Sequence, residues 1–308
     1  MARRIAVAPT TRPLMADAFR TAVLDAGAEL GELAGAEGLI WADPARADLF
    51  PEVIARAPRV RWIQLPYAGI EPFLPHLEDR FVWTCGKGVY APPVAEHVLA
   101  LTLAGLRHVP GYARATSWEA PVGRNLLGAR VTIFGGGGIC EWVLRLFEPF
   151  GCRFTVVRRR DEPVAGACVL PPDRALEAVR DADVVVLALA LTPATRGLVD
   201  REFLAAMAPH AWLVNVGRGA HVVTDDLVEA LRAGTIGGAA LDVTDPEPLP
   251  AGHPLWTLSN CIVTPHIANT PEMGLPLIAA RVRENAGRFA RGDALDTLEG
   301  LVDVAAGY

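Results

Sequence analysis

Lysine is almost absent from this 308-residue chain: Lys87 is the only one, and arginine supplies the rest of the 29 basic positions. That bias points to genome composition rather than to chemistry. Against 35 acidic residues the net charge is −6, which argues against a general binder of nucleic acid or anionic membrane. Cysteine is sparse too. The five (Cys85, Cys140, Cys152, Cys168 and Cys261) are scattered, odd in number and without metal-ligand spacing, so no metal is expected and the thiols read as reduced, in a cytoplasmic protein. No apolar run reaches the length of a membrane span, and the one behind the basic start MARRIAVAPTTRP is too short for a signal peptide.

What the sequence does hold is 51% hydrophobic and 21% charged residues, a soluble globular composition long enough for two domains. The stretch VTIFGGGGIC (131–140) organises it. β-Branched and aromatic residues at 131–134 suit a buried parallel strand. Four glycines interrupt, then Trp142, Val143, Leu146 and Phe147 recur at helical spacing as far as Gly151, and a second strand-like run follows at 154–157. Strand, Gly-rich turn, helix, strand is the βαβ unit that holds a dinucleotide pyrophosphate on a helix N-terminus. Gly135 and Gly137 occupy the first two positions of G-x-G-x-x-G, and Cys140 the third, so the fingerprint is incomplete.

Before this unit, strands are expected at 3–8, 38–43, 60–66 and 81–85, with a helix over 14–24 and another around Val53 and Ile54. The turn Tyr67-Ala68-Gly69-Ile70 follows one of these strands and offers backbone N–H groups to an anion. Pro92-Pro93 then introduces a long apolar helix (94–106) at a domain boundary. After the Gly-rich unit the pattern repeats: a continuous apolar strand at 182–191, a helix from Asp200, a strand at 211–216, a helix capped by Thr224 and closed by Gly234, then strands at 239–243 and 262–266. A last helix spans 272–291 with Pro276 near its start. Strands alternating with helices at this interval predict an α/β fold with a doubly wound parallel sheet.

Three polar residues stand just past strand ends, where such folds bind ligands: Arg218 in NVGRGA, Glu247 in DVTDPEPLP and His266 in TPHIAN. Arginine clamps a carboxylate bidentately, histidine gives a proton to a carbonyl oxygen as hydride arrives, and a nearby carboxylate favours the protonated imidazole. Taken singly, each also has an ordinary reading: a surface ion pair, a solvated loop charge and a strand-end histidine satisfied by backbone.

The segments VTIFGGGGI, LVNVGRGA, GGAALDVTDPEPLP and TPHIANT, in this order and spacing, resemble the D-isomer-specific 2-hydroxyacid dehydrogenase family. The likeness extends to PVAEHVLALTLA (93–104), LTPATRGLVD (191–200) and the ending LVDVAAGY. The resemblance implies a Rossmann cofactor domain (93–271) and a smaller flavodoxin-like substrate domain (1–92 plus 272–308), with the active site in a hinged cleft between them. It implies that Arg218 binds the substrate carboxylate and polarises its carbonyl, that His266 is the acid/base, and that Glu247 keeps His266 charged. It further implies that Ala68 and Gly69 cradle the carboxylate and that Asp242 bonds the nicotinamide carboxamide. Gly135, Gly137, Gly138, Ile139 and Thr192 would complete the cofactor contacts. A homodimer is expected, formed through the helix near 94–106 and the arm to Trp118.

Where the family carries an Asp on the adenosine ribose, this chain has Arg158, followed by Arg159 and Arg160. Guanidinium groups bind a 2′-phosphate that a carboxylate would repel, so NADP(H) is expected over NAD(H). A solvated basic turn is the competing reading of these arginines. Glu247, rather than glutamine, argues against the related formate dehydrogenases. The expected activity is reduction of a small 2-oxoacid, like that of glyoxylate or hydroxypyruvate reductases. An NAD-dependent 3-phosphoglycerate or other D-2-hydroxyacid dehydrogenase, and a dinucleotide-sensing regulator of corepressor type, stand as alternatives.

Overall fold

The computed structural model describes residues 3–305, so the last three residues of LVDVAAGY lie outside those described. The chain divides into two units, Met1–Tyr90 with Thr270–Tyr308, and Ala91–Asn269. These crossings fall just ahead of the expected ones. Pro92 and Pro93 lie inside the first turn of the long helix rather than before it, and Thr270 caps the last helix by accepting the Met273 N–H.

In the first unit, β1 (Arg4–Ala8), β2 (Glu29–Leu30), β3 (Gly38–Trp41), β4 (Trp62–Gln64) and β5 (Val82–Thr84) are all parallel, in the order β2-β1-β3-β4-β5. This is the flavodoxin-like order. Helix α1 (Pro13–Asp25) and the C-terminal helix (Pro271–Arg291) bury Phe19, Val23, Val282 and Phe289 on one face. On the other, α2 (Phe50–Ala55) packs with Trp41, Phe73 and Trp83. The tail returns to this sheet through main-chain bonds, Cys85 N–H to Gly300 O (2.8 Å) and Val302 N–H to Trp83 O (3.0 Å). Buried Asn285 adds a side-chain bond to Gln64 (2.8 Å). These contacts are why one unit is made from both ends of the sequence.

The second unit opens with α3 (Ala91–Leu106) and α4 (Val109–Arg114) and continues through β6 (Arg130–Phe134), α5 (Gly138–Phe147), β7 (Arg153–Val157) and β8 (Ala167–Leu170). Then come α6 (Ala175–Val179), β9 (Val184–Leu187), α7 (Arg201–Ala206), β10 (Trp212–Asn215), α8 (Thr224–Ala233), β11 (Gly238–Leu241) and β12 (Cys261–Val263). The sheet order is β12-β11-β10-β9-β6-β7-β8, all parallel, which makes it a doubly wound Rossmann-type sheet. Alternate residues of each strand feed opposite layers. Val131, Ile133, Val184, Val186 and Val214 meet α3 and α5, while Phe134, Val185, Leu187, Leu213 and Leu241 meet α7 and α8. Burial on both faces explains why these strands read as unbroken apolar runs.

Several expected boundaries are corrected. The 182–191 strand ends at Leu187: Ala188 N–H makes a last bond to Phe134 O, and beyond it the Thr195 hydroxyl donates to Ala190 O and accepts the Thr192 N–H locally. The 262–266 strand ends at Val263, since Pro265 has no N–H for the ladder. Thr224 is the first residue of α8 rather than its cap, and its hydroxyl donates to Asp245 O (2.7 Å). The edge strand β8 and the two-residue β2 have no counterpart among the expected strands; both are short and half-exposed, and alternation gives no signal for them.

Register positions the site. Phe134, Leu187, Asn215, Leu241 and Val263 lie in one row across the sheet. The chain segments that follow these residues therefore emerge at one edge: the glycine loop, the Thr192 loop, the Arg218 loop, Asp242 and the His266 segment.

Candidate active site

The glycine loop passes straight from β6 into α5. Gly135 has φ +107°, and a side chain there would collide with the Ala188 carbonyl oxygen, so only glycine fits. Gly137 is the N-cap of α5, supplies no side-chain cap, and would meet nothing within 4 Å even if it carried a Cβ. The first-turn amides at Gly138 and Ile139 thus start a helix whose mouth is open, and that cradle fits a dinucleotide pyrophosphate. Cys140 does not obstruct it. Its side chain is buried in the layer with Val131, Ile133 and Val143, and burial pushes the thiol up to about 12.

Arg158 follows β7 directly and donates its N–H to Leu170 O. Its side chain lies across the glycine loop: a Cβ on Gly136 would come within 2.7 Å of Arg158 Cδ. The guanidinium pairs with Glu162 at 2.7 Å. Arg159 and Arg160 continue the turn, both exposed. Thr192 is fastened by Thr195, N–H to Oγ1 at 2.8 Å.

Further along the same edge, the Arg218 loop is held by side chains that bond its backbone. Asn215 accepts the Gly217 N–H and donates to Arg218 O, and His221 Nδ1 accepts the Arg218 N–H at 3.2 Å. Gly219 has no room for a side chain, because Thr244 backbone fills the space. That close approach seats the Arg218 loop on the loop that carries Glu247. Glu247 Oε1 then lies 2.7 Å from His266 Nδ1, with both side chains about half exposed.

His266 has φ +54°, a backbone conformation that non-glycine residues seldom adopt. Asp242 holds it there. Its buried carboxylate accepts the Thr264 hydroxyl (2.6 Å) and the N–H groups of Ile267 (2.9 Å) and Ala268 (3.0 Å), while its own carbonyl accepts the His266 N–H (2.9 Å). Burial alone would raise the Asp242 pKa; His97, Thr264 and the two N–H groups outweigh it and hold the carboxyl at about 2. The expected cofactor ligand is thus also the anchor of the His266 segment. In the other unit, the turn at 67–69 follows β4 and is fixed by Gly86 N–H to Tyr67 O (3.0 Å) and Tyr90 OH to Pro66 O (2.6 Å).

A family model for the NAD binding domain of D-isomer specific 2-hydroxyacid dehydrogenases matches residues 99–268. The chain belongs to that family. A protein of Corynebacterium melassecola, described only as an uncharacterized protein in the proB 3′ region, is 40% identical to this dehydrogenase over 267 residues, covering 84% of this chain and 87% of the relative. A glyoxylate reductase of Pyrococcus furiosus is 32% identical over 262 residues, 80% and 78% of the two chains. The crystal structure of a D-isomer specific 2-hydroxyacid dehydrogenase from Xanthobacter autotrophicus Py2, in complex with NADPH and MES, superposes with a TM-score of 0.84 at 25% identity and covers all of both chains. This dehydrogenase is accordingly an NAD(P)-dependent oxidoreductase, and among its described residues no helix is long and apolar enough to cross a membrane.

Sequence reasoning missed Gly219, His221, Thr264 and His97, which fix the polar residues it did find. The one available signal was polarity out of place, a histidine in the apolar run VAEHVLAL and another behind GRGA.

Burial holds the His221 imidazole below its ordinary pKa of 6.5. The unfolded chain then takes up that proton first, so the stabilisation is complete above about pH 6.5 and shrinks as pH falls below it. His221→Asn should flatten the fall in Tm between about pH 7 and about pH 5, and an unchanged slope would remove His221 from the acid response.

Proposed function

We propose that this dehydrogenase reduces small 2-oxoacids of the glyoxylate and hydroxypyruvate type, drawing on NADPH in preference to NADH. The observation that carries the reaction is the 2.7 Å contact between His266 Nδ1 and Glu247 Oε1, on the sheet edge that also bears Arg218. An ionised carboxylate only accepts, so Nδ1 carries the hydrogen and Nε2 is left to exchange a proton. Bound nicotinamide supplies the hydride. His266 Nε2 delivers the proton to the carbonyl oxygen, Glu247 orients the ring, and Arg218 binds the carboxylate and polarises the carbonyl. We also assign carboxylate binding to the N–H groups of Ala68 and Gly69. Asp242 Oδ2, which accepts one N–H, keeps a lone pair for the nicotinamide carboxamide.

The preference for NADPH rests on Arg158, laid over the glycine loop with Arg159 beside it, where a 2′-phosphate meets guanidinium rather than carboxylate. The name of the Pyrococcus relative supports the substrate class, and the NADPH bound in the Xanthobacter structure supports the cofactor reading. A homodimer is supported by the exposed apolar side chains clustered after α3: Val109, Trp118, Val122 and Leu127, of which Trp118 is fully exposed.

Turnover of glyoxylate and hydroxypyruvate, followed by loss of the reduced-nicotinamide absorbance, should fall by about 10²–10⁴ in His266→Ala. A variant with full activity takes His266 out of the mechanism. Arg158→Asp should lower the NADPH-to-NADH ratio of kcat/KM by at least about tenfold, the loss of one charge-assisted contact. An unchanged ratio ends the assignment to Arg158. Sedimentation equilibrium should give twice the chain mass of 32.8 kDa; a monomer at micromolar concentration would refute the dimer.

A further inference from the structure

Helix α3 is apolar along its inner face, with Ala95, Val98, Leu101 and Leu106 buried against the sheet. His97 breaks that pattern. Its side chain is 18% exposed, and its Nε2 lies 3.1 Å from Thr264 Oγ1 and 3.4 Å from Asp242 Oδ1. The polarity of this contact can be assigned. Thr264 has one hydroxyl proton, and the 2.6 Å approach of Oγ1 to the ionised Asp242 places that proton on the Thr264–Asp242 axis. Oγ1 therefore meets His97 with a lone pair, and Nε2 is the ring nitrogen that donates. The hydrogen bonds run one way, from His97 Nε2–H to Thr264 Oγ1–H to Asp242 Oδ1.

Beyond Asp242 the line reaches the proton site. The carboxylate takes the N–H groups of Ile267 and Ala268, directly after His266, and the Asp242 carbonyl takes the N–H of His266 itself. We propose that His97 is a positioning residue for proton transfer: by donating to Thr264 and Asp242 from α3, it fixes the 264–268 segment and thereby aims the His266 imidazole that Glu247 grips. This rests on the reading of His266 as the acid. His97 touches neither His266 nor Glu247, so its effect passes through the orientation of the ring. A misplacement of about 1 Å far from the chemistry can cost on the order of 10²-fold in rate.

The experiment compares His97→Leu, His97→Gln and Thr264→Val in the full chain. Gln retains an N–H donor at about the reach of Nε2; Leu does not. His97→Leu should lower kcat by about 10–100-fold, with the dissociation constant for NADP+ within about twofold of the parent. His97→Gln should recover most of that loss. The low-field Nδ1 proton resonance of His266, read by NMR without substrate, should shift or broaden in His97→Leu and return in His97→Gln. Combining His97→Leu with Thr264→Val should cost little more than either alone, because both break one line of bonds. Parent-like kcat in His97→Leu overturns the proposal, as does a His97→Gln no better than His97→Leu. If His97→Leu does not fold, Thr264→Val carries the test, and a parent-like kcat and His266 resonance in that variant overturn the proposal. Full turnover in His266→Ala would instead refute the acid assignment on which it stands.

Discussion

Asp242 stands where β11 leaves the sheet, and its carboxylate is the fixed point of the end of the site that carries His266. Burying an ion is unfavourable unless it is paired and bonded, and here Thr264, Ile267, Ala268 and His97 all face it. Its carboxyl, held at about 2 rather than the ordinary 3.8, favours the ionised form by ~2 kcal/mol. The hydrogen bonds behind that preference, each worth about 1.5–3 kcal/mol to a charged acceptor, outweigh the roughly 1–3 kcal/mol of a left-handed non-glycine residue. His266 can therefore sit at φ +54° as a settled part of the fold. An extended backbone at that position would carry its ring elsewhere.

A second constraint joins this end to Arg218. Gly219 lies against Thr244 so closely that the two loops make one surface. The Arg218 backbone is separately pinned by Asn215 and His221. Arg218 and Glu247 are far apart in sequence, yet each stands on a loop whose first residues continue the same parallel ladder. Val216 N–H donates to Leu187 O, and Asp242 N–H to Asn215 O. The sheet sets the spacing of the groups, and the local bonds set their direction.

The parts legible in the sequence were those written in neighbouring residues. Strand, glycines, helix and strand over 131–157 follow from local pattern alone, and so does the opening required at Gly135. Arg218, Glu247 and His266 were readable because each comes just after an apolar run, and parallel strands bring such positions to one edge. The strand end was not readable at 188–191, where Thr195 makes local bonds beside a run that still looks apolar; at 264–266 the break is written in the sequence as Pro265. Contacts between distant segments left little trace: no pattern in VAEHVLAL says that His97 faces Thr264, and nothing in GRGA says that Thr244 fills the space beside Gly219. Cys140 looked like a defect when read against a motif, but the helix turns its thiol into the core, away from the open amides.

At the glycine-loop end, the proposed recognition of a 2′-phosphate is a competition for one arginine rather than a matter of burial. Arg158 is largely covered, with its side chain 15% exposed, but its partner Glu162 is 64% exposed and free to leave toward water. Exposed ion pairs of this kind contribute about 0–1 kcal/mol, so displacing Glu162 costs little. Under the proposed preference for NADPH, a 2′-phosphate, with roughly −1.5 to −2 charges and three acceptor oxygens against the single charge of the carboxylate, would displace Glu162 from the guanidinium. A 2′-hydroxyl brings no charge and leaves the pair intact. On that proposal, discrimination between the two dinucleotides would be a difference between two states of one arginine, already oriented over the glycine loop by its own chain.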